Sequence, residues 1–122
     1  MNAHQKIAQT LAEVWQNKNF DLLKESLADN TKWYEGPYKE PLKNRDAIID
    51  QWRNDLAPQS DIKVETNVLA VKGTTGCYHF VATWSDSQRG KLKIDGIFLV
   101  ELDNSGKIKS FNQWYALKTG VK

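Results

Sequence analysis

Apolar residues near the start of the chain recur at helical spacing: Ile7, Leu11, Val14 and Trp15, with Gln, Lys and Glu between them. Such a stripe covers one face of an amphipathic helix. Asn17-Lys18-Asn19 interrupts it, and a shorter helix is predicted from about Phe20 to Leu27, carrying Leu22, Leu23 and Leu27. Asn19 suits its N-cap, and Asp21 falls in the first turn, where negative charge meets the positive helix end. Ala28-Asp29-Asn30 reads as the stop. Thr31 to Glu35 predicts a short strand holding Trp33 and Tyr34, ended by Gly36-Pro37. A third helix is expected after Asn44, with Ile48, Ile49, Trp52 and Leu56 on its apolar face and Pro58 at its end.

Beyond Pro58 the period changes to two. Ile62 to Val71, Gly76 to Ser85, Lys91 to Leu102 and Lys107 to Lys118 are rich in β-branched and aromatic residues. They are separated by Lys72–Gly76, Ser85–Gly90 and Asp103–Gly106, segments with the composition of hairpin turns. The third of these strands alternates most clearly. Leu92, Ile94, Gly96, Phe98, Val100 and Leu102 form one face, expected to meet the helices, and Lys93, Asp95, Ile97, Leu99 and Glu101 the other. In the second, Tyr78, Phe80, Ala82 and Trp84 are expected inside. In the last, either Phe111, Gln113 and Tyr115 or Asn112, Trp114 and Ala116 can face inward, and the pattern leaves both open. Helices followed by a long antiparallel meander make the fold class α+β, with three N-terminal helices on a curved, mostly antiparallel sheet. Ile97 and Leu99 leave apolar groups on the outer face, which favours self-association, a homodimer through the sheet.

At 122 residues the chain predicts one domain over 1–122, large enough to bury a core without staples. Lys plus Arg is 17 against 15 acids, giving a net charge of +2, with the signs interspersed. That balance argues against a nucleic-acid partner. No apolar run approaches membrane-spanning length, and Met1 to Trp15 lacks the continuous apolar stretch of a signal peptide. The lone Cys77 cannot form an internal disulfide, which fits a reducing, cytoplasmic location. Five Trp, four Tyr and four Phe are a large ring volume for this length, and such groups fill cores or line binding sites.

Three local patterns carry a resemblance: Trp33-Tyr34-Glu35-Gly36-Pro37; Pro41 through Ile48 (PLKNRDAI); and Asp103-Asn104-Ser105-Gly106-Lys107-Ile108. In this order and spacing the chain resembles nuclear-transport-factor-2-like (SnoaL-like) proteins over nearly its whole length. The resemblance implies a cone-shaped α+β fold around a pocket. It does not imply one activity, since the fold serves isomerases, cyclases, dehydratases, epoxide hydrolases and pure binding modules. Aligned to ketosteroid isomerase through Arg45 and Gly106, Glu35 falls at the carboxylate base. Leu11 and Phe98 fall where the two oxyanion donors stand, and neither can donate. The same alignment turns Phe111, Gln113 and Tyr115 inward and puts Trp52 at a pocket tyrosine.

Glu35 is therefore the candidate catalytic residue. At the end of a pocket strand beside Trp33 and Trp52, loss of hydration would raise its pKa and suit it to general acid or base work. The alternative is a solvent-facing Glu paired with Lys39. Trp15, Trp33, Trp52, Phe80, Trp84, Phe98, Phe111 and Tyr115 are the candidate ligand-contacting rings, against an ordinary aromatic core. Gln113 and Tyr115 would supply orienting hydrogen bonds, or satisfy nearby backbone. His79 and Asp95 follow the outward register, with a bulge at Gly96 as the route by which Asp95 would turn inward. His4 is expected at a frayed terminus. Two isolated histidines and one cysteine argue against a metal site, and no cofactor is required. The expected function is binding of a small apolar cyclic or aromatic molecule, with cofactor-independent isomerase, lyase or cyclase chemistry at Glu35. The alternative is a non-catalytic dimerising ligand carrier or protein-interaction module.

Overall fold

The computed structural model describes residues 2–121. In chain order the elements are α1 (Ala3–Asn17), α2 (Phe20–Ser26), β1 (Leu27–Tyr34), α3 (Arg45–Leu56), β2 (Gln59–Lys72), β3 (Thr75–Asp86), β4 (Gly90–Leu102) and β5 (Ile108–Lys118). The strands form one sheet in the order β1-β5-β4-β3-β2. β1 runs parallel to β5 and every other neighbour is antiparallel. Register shifts between Ser60 and Lys63 and between Val68 and Ala70 bend the outermost strand β2, the usual effect of bulges. The result is an open, curved sheet with the helices on its concave side, the α+β architecture expected from the patterning.

Local chemistry sets the helix ends. Asn2 and Gln5 form a reciprocal capping box at the start of α1, and Lys18 ends it in the left-handed region at φ 53°. Asn19 and Asn44 accept from the backbone N–H of Leu22 and Ala47 and so cap α2 and α3. Each such cap is worth about 1 kcal/mol. Ile48, Ile49, Trp52 and Leu56 are all buried along α3.

Two expectations need correction. The second helix does end here, at Ser26, but the strand starts earlier than Thr31: β1 begins at Leu27, which pairs with Ile108, and includes Ala28-Asp29-Asn30. Leu27 and Ala28 are buried and draw the segment into the sheet. The polar Asp29 and Asn30 fall within a register irregularity, where Asp29 meets the Arg45 guanidinium at 3.0 Å. His4 is not frayed but buried, its Nδ1 2.6 Å from the Tyr78 hydroxyl. The approach depends on Gly76, where a Cβ would collide with the His4 ring.

Inward and outward faces of β3 and β4 follow the predicted alternation. The undecided strand is settled by its register: Val100 opposes Phe111, Phe98 opposes Gln113 and Gly96 opposes Tyr115. Phe111, Gln113 and Tyr115 therefore share the helix-facing side. No bulge occurs at Gly96, so Asp95 stays outward. There its Oδ1 accepts from His79 Nε2 at 2.7 Å. No helix among the described residues is long and apolar enough to cross a membrane.

Candidate functional site

The core rings are arranged in a circuit. Trp33 stacks on Phe111 at 3.6 Å between centroids, Phe111 leans on Phe98 at 4.8 Å, and Phe98 stacks on Phe80 at 3.9 Å. Phe80 touches Trp15 at 6.0 Å, Trp15 meets Trp52 edge-on, and Trp52 returns to Trp33 at 5.6 Å. Each contact adds roughly 0.5–1.5 kcal/mol beyond area burial. Close stacking on the sheet side and edge-on contacts on the helix side fill one end of the layer and leave space at the other.

That space is a hollow of about 350 Å³ between α3, the end of α1, the 35–41 loop and the inner face of β3–β5. Its apolar surface comes from Trp15, Trp33, Trp52, Trp84, Phe98, Leu56, Ile94 and Leu117. Its polar wall comes from Glu35, Asp55, Gln51, Gln59, Gln113, Lys39 and Arg89, with Tyr115 at the mouth. Eight of the residues picked out from sequence meet here: Glu35, Trp15, Trp33, Trp52, Trp84, Phe98, Gln113 and Tyr115. Phe80 and Phe111 do not line the hollow. They are 1% and 0% exposed, each stacked on one ring, Phe98 and Trp33 respectively, and in tilted contact with another.

Glu35 is held at the wall by backbone. Trp33 and Leu42 exchange two 2.9 Å N–H···O bonds, closing the loop between them, and the Gln113 side-chain amide donates to the Glu35 carbonyl at 3.3 Å. The Glu35 carboxylate itself is half-buried. Loss of hydration raises its pKa, Asp55 adds repulsion in the same direction, and the Lys39 ammonium opposes both. Asp55 stands at the rim on α3. Partial dehydration also raises its pKa, against a 2.9 Å bond from the Gln51 amide and the pull of Lys39. Among the described residues neither carboxylate has an ion-pair partner within 4.0 Å. Gln59 ties the floor to the wall: its Oε1 accepts from Trp15 Nε1 at 2.8 Å, and its Nε2 donates to the Asp55 carbonyl at 3.2 Å.

Two carboxylates whose pKa values are raised by loss of hydration face one hollow, an arrangement suited to proton exchange with a bound molecule. Asp55 was not singled out in the sequence. The available signal was its position three residues after Trp52 and four after Gln51, on the flank of the α3 stripe that turns toward the sheet. Leu11 and Phe98 place no hydrogen-bond donor at the hollow. No cluster of three or more metal-ligating side chains occurs among the described residues. The His79–Asp95 pair, from neighbouring strands, lies on the outer face of the sheet, away from this site.

A family model described as a SnoaL-like domain matches residues 8–111. No functionally curated protein matches the chain in sequence. Among solved structures, the epoxide hydrolase/cyclase-like enzyme SalBIII, titled for pyran ring formation in the polyether salinomycin, superposes with a TM-score of 0.78 at 18% identity. That alignment covers 98% of this chain and 99% of SalBIII. An NTF2-like protein of unknown function from Exiguobacterium sp. 255-15 gives 0.75 at 17% identity, over 94% of this chain and 98% of that one. An LEH-like epoxide hydrolase from Mycobacterium tuberculosis gives 0.67 at 14% identity, over 88% and 78%. At these identities the likeness establishes the fold.

Proposed function

The chain belongs to the SnoaL-like domain family, and on that premise we propose that its hollow binds a small molecule with an apolar cyclic or aromatic body, on which Glu35 moves a proton. The observation that carries this reading is the half-buried Glu35 carboxylate, without an ion-pair partner among the described residues, on the wall of a tryptophan-lined space. Asp55, across the same space, is the second proton-handling group. On this reading one of the two carboxylates, each with its pKa raised by loss of hydration, gives the proton and the other takes it. The chemistry needs no cofactor.

Enolisation of the steroid-isomerase kind relies on preorganised donors for the developing oxyanion, and Leu11 and Phe98 supply none. Ring opening, ring closure and elimination, which need one acid and one base, suit the lining better. Two of the structural neighbours are titled for epoxide and pyran-ring chemistry. The test is turnover of a panel of cyclic epoxides and cyclic β-hydroxyketones by the wild-type protein and by Glu35→Gln. The expected result is acceleration by the wild type and a loss of roughly 10²–10⁴ in kcat for the variant, the usual worth of a positioned acid or base. Equal turnover by the two proteins would sink the assignment.

We also propose that the partner is a second copy of this chain, seated on the outer sheet face. Trp114 is 43% exposed there, opposite the part-exposed Ile97, with Val81 and Leu99 on the same face around the His79–Asp95 pair, and exposed apolar groups of this kind favour a cover. Sedimentation should find a dimer that Trp114→Asp converts to monomer. A monomeric wild type at high micromolar concentration would refute it.

A further inference from the structure

The charges and hydrogen bonds of the hollow are lopsided. Three of its N–H donors are committed inside the protein, while the buried Trp84 Nε1–H has no partner among the described residues. Trp15 Nε1 donates to Gln59, the Gln59 amide to the Asp55 carbonyl, and the Gln113 amide to the Glu35 carbonyl. Its strongest acceptors, the carboxylates of Glu35 and Asp55, have no ion-pair partner within 4.0 Å among the described residues. Of the two cations in the lining, Arg89 faces the Asp86 carboxylate at 3.6 Å. That leaves two negative charges against Lys39 alone, an exposed side chain on the 35–41 loop.

The indoles add to this asymmetry. Trp52 stands at 82° to Trp15 and at 79° to Trp33, and Trp84 lies 5.8 Å from Trp15. The parts of these indoles that border the hollow can offer a cation the negative lobe of the aromatic quadrupole.

Building on the reading of the hollow as a ligand site, we infer that its ligand is an organic cation: an apolar ring or alkyl body carrying one protonated or quaternary nitrogen. The body lies on the tryptophans and the nitrogen sits toward Glu35 and Asp55. An anion would meet two carboxylates, with only the Lys39 ammonium to offset their charge and indole N–H groups such as that of Trp84 as neutral donors. A neutral apolar molecule would leave both carboxylates dehydrated with nothing in return. Lys39 is the internal competitor. Its ammonium already stabilises the charged forms of both carboxylates, and a bound cation takes over that part.

The test uses two probes of matched shape, benzyltrimethylammonium and its uncharged counterpart neopentylbenzene. Binding is followed through the indole N–H NMR signals of Trp15, Trp33, Trp52 and Trp84. Trp114, on the opposite face of the sheet, is the internal reference. The cation should bind about ten-fold more tightly than the neutral probe, in line with a partly desolvated cation–π and charge contact. Glu35→Gln and Asp55→Asn should each shrink that preference several-fold. Lys39→Gln should strengthen cation binding, a sign that a site for anions would reverse. Equal or tighter binding of neopentylbenzene, or weaker cation binding by Lys39→Gln, overturns the cation while leaving the hollow as a ligand site. Failure of both probes to shift the four inner indoles overturns both.

Discussion

The two ends of the helix–sheet layer each bury an ionisable side chain and treat it differently. At the sealed end His4 is 4% exposed, its Nδ1 in contact with the Tyr78 hydroxyl, in a pocket shaped by Gly76. Burial lowers its pKa and so favours the neutral ring. At the open end Glu35 is only half covered, yet has no ion-pair partner among the described residues, and burial raises its pKa. A buried polar group that is answered by a neighbour holds the fold together. One left unanswered beside a hollow retains free energy that a ligand or a proton can release. The aromatic circuit joins the two ends, and its tight stacking at Phe80, Phe98 and Phe111 is the floor on which the open end rests.

The largest expected effect is on that floor. Phe80 is sandwiched between β4 and α1, stacked on Phe98 and touching Trp15. Phe80→Ala should cost about 3–5 kcal/mol, the usual range for a fully buried phenylalanine whose site cannot collapse. Urea titration measures it. If the loss were under about 1 kcal/mol, the floor would be loosely packed and the distinction between the ends would disappear.

The next effect concerns the sealed end. Tyr78→Phe keeps the ring and removes the hydroxyl, leaving His4 Nδ1 buried without its partner. The expected loss is about 1–3 kcal/mol at pH 7. A pH arm sharpens it. Because the folded-state pKa of His4 lies below its ordinary 6.5, the unfolded chain binds a proton first as pH falls. The stability His4 contributes is therefore complete above that value and is lost progressively as pH drops through it. His4→Leu should flatten this part of the stability profile. An unchanged slope would mean that His4 titrates as it does in the unfolded chain.

Much of this contrast was readable before any coordinates. The helix stripes, the caps at Asn19 and Asn44, and the inner faces of β3 and β4 follow from periods of 3.6 and 2, which are local properties of the chain. Glu35 was reached through the resemblance to ketosteroid isomerase, and the structure puts it on the wall of the hollow. What could not be read depends on contacts across long sequence distances. Ala28-Asp29-Asn30 has the composition of a turn, and only the parallel pairing with β5 makes it strand. His4 looked terminal because its partner is Tyr78, on another element. His79 and Asp95 meet only because β3 and β4 are neighbours in register. Phe80 and Phe111 were grouped with the hollow because ring content cannot say which faces stack. Asp55 was passed over because a charged residue on a helix flank reads as solvent-facing until the hollow beside it is known.

The smallest effect is also the most discriminating, because its sign runs against intuition. Glu35→Gln removes a charge that the folded state holds in a dehydrated place. Since the folded-state pKa is raised, the fold binds a proton there more readily than the unfolded chain does. At pH values above the folded-state pKa the ionised carboxylate is a cost to the fold. As pH falls through that raised value toward the unfolded one, the cost is relieved. The variant should therefore be more stable than the wild type at pH 7, with a rise in Tm on the order of 2 °C once water screening of a half-exposed group is allowed for. The gain should fade on acidification and vanish once both states are protonated in the wild type. Scanning calorimetry at pH 7 and at acid pH measures both points. A variant that is less stable at pH 7 would show that Glu35 is answered after all, by a partner such as Lys39, and that the open end is built on the same principle as the sealed one. A variant that gains stability while losing turnover would show the same carboxylate costing the fold and serving the site.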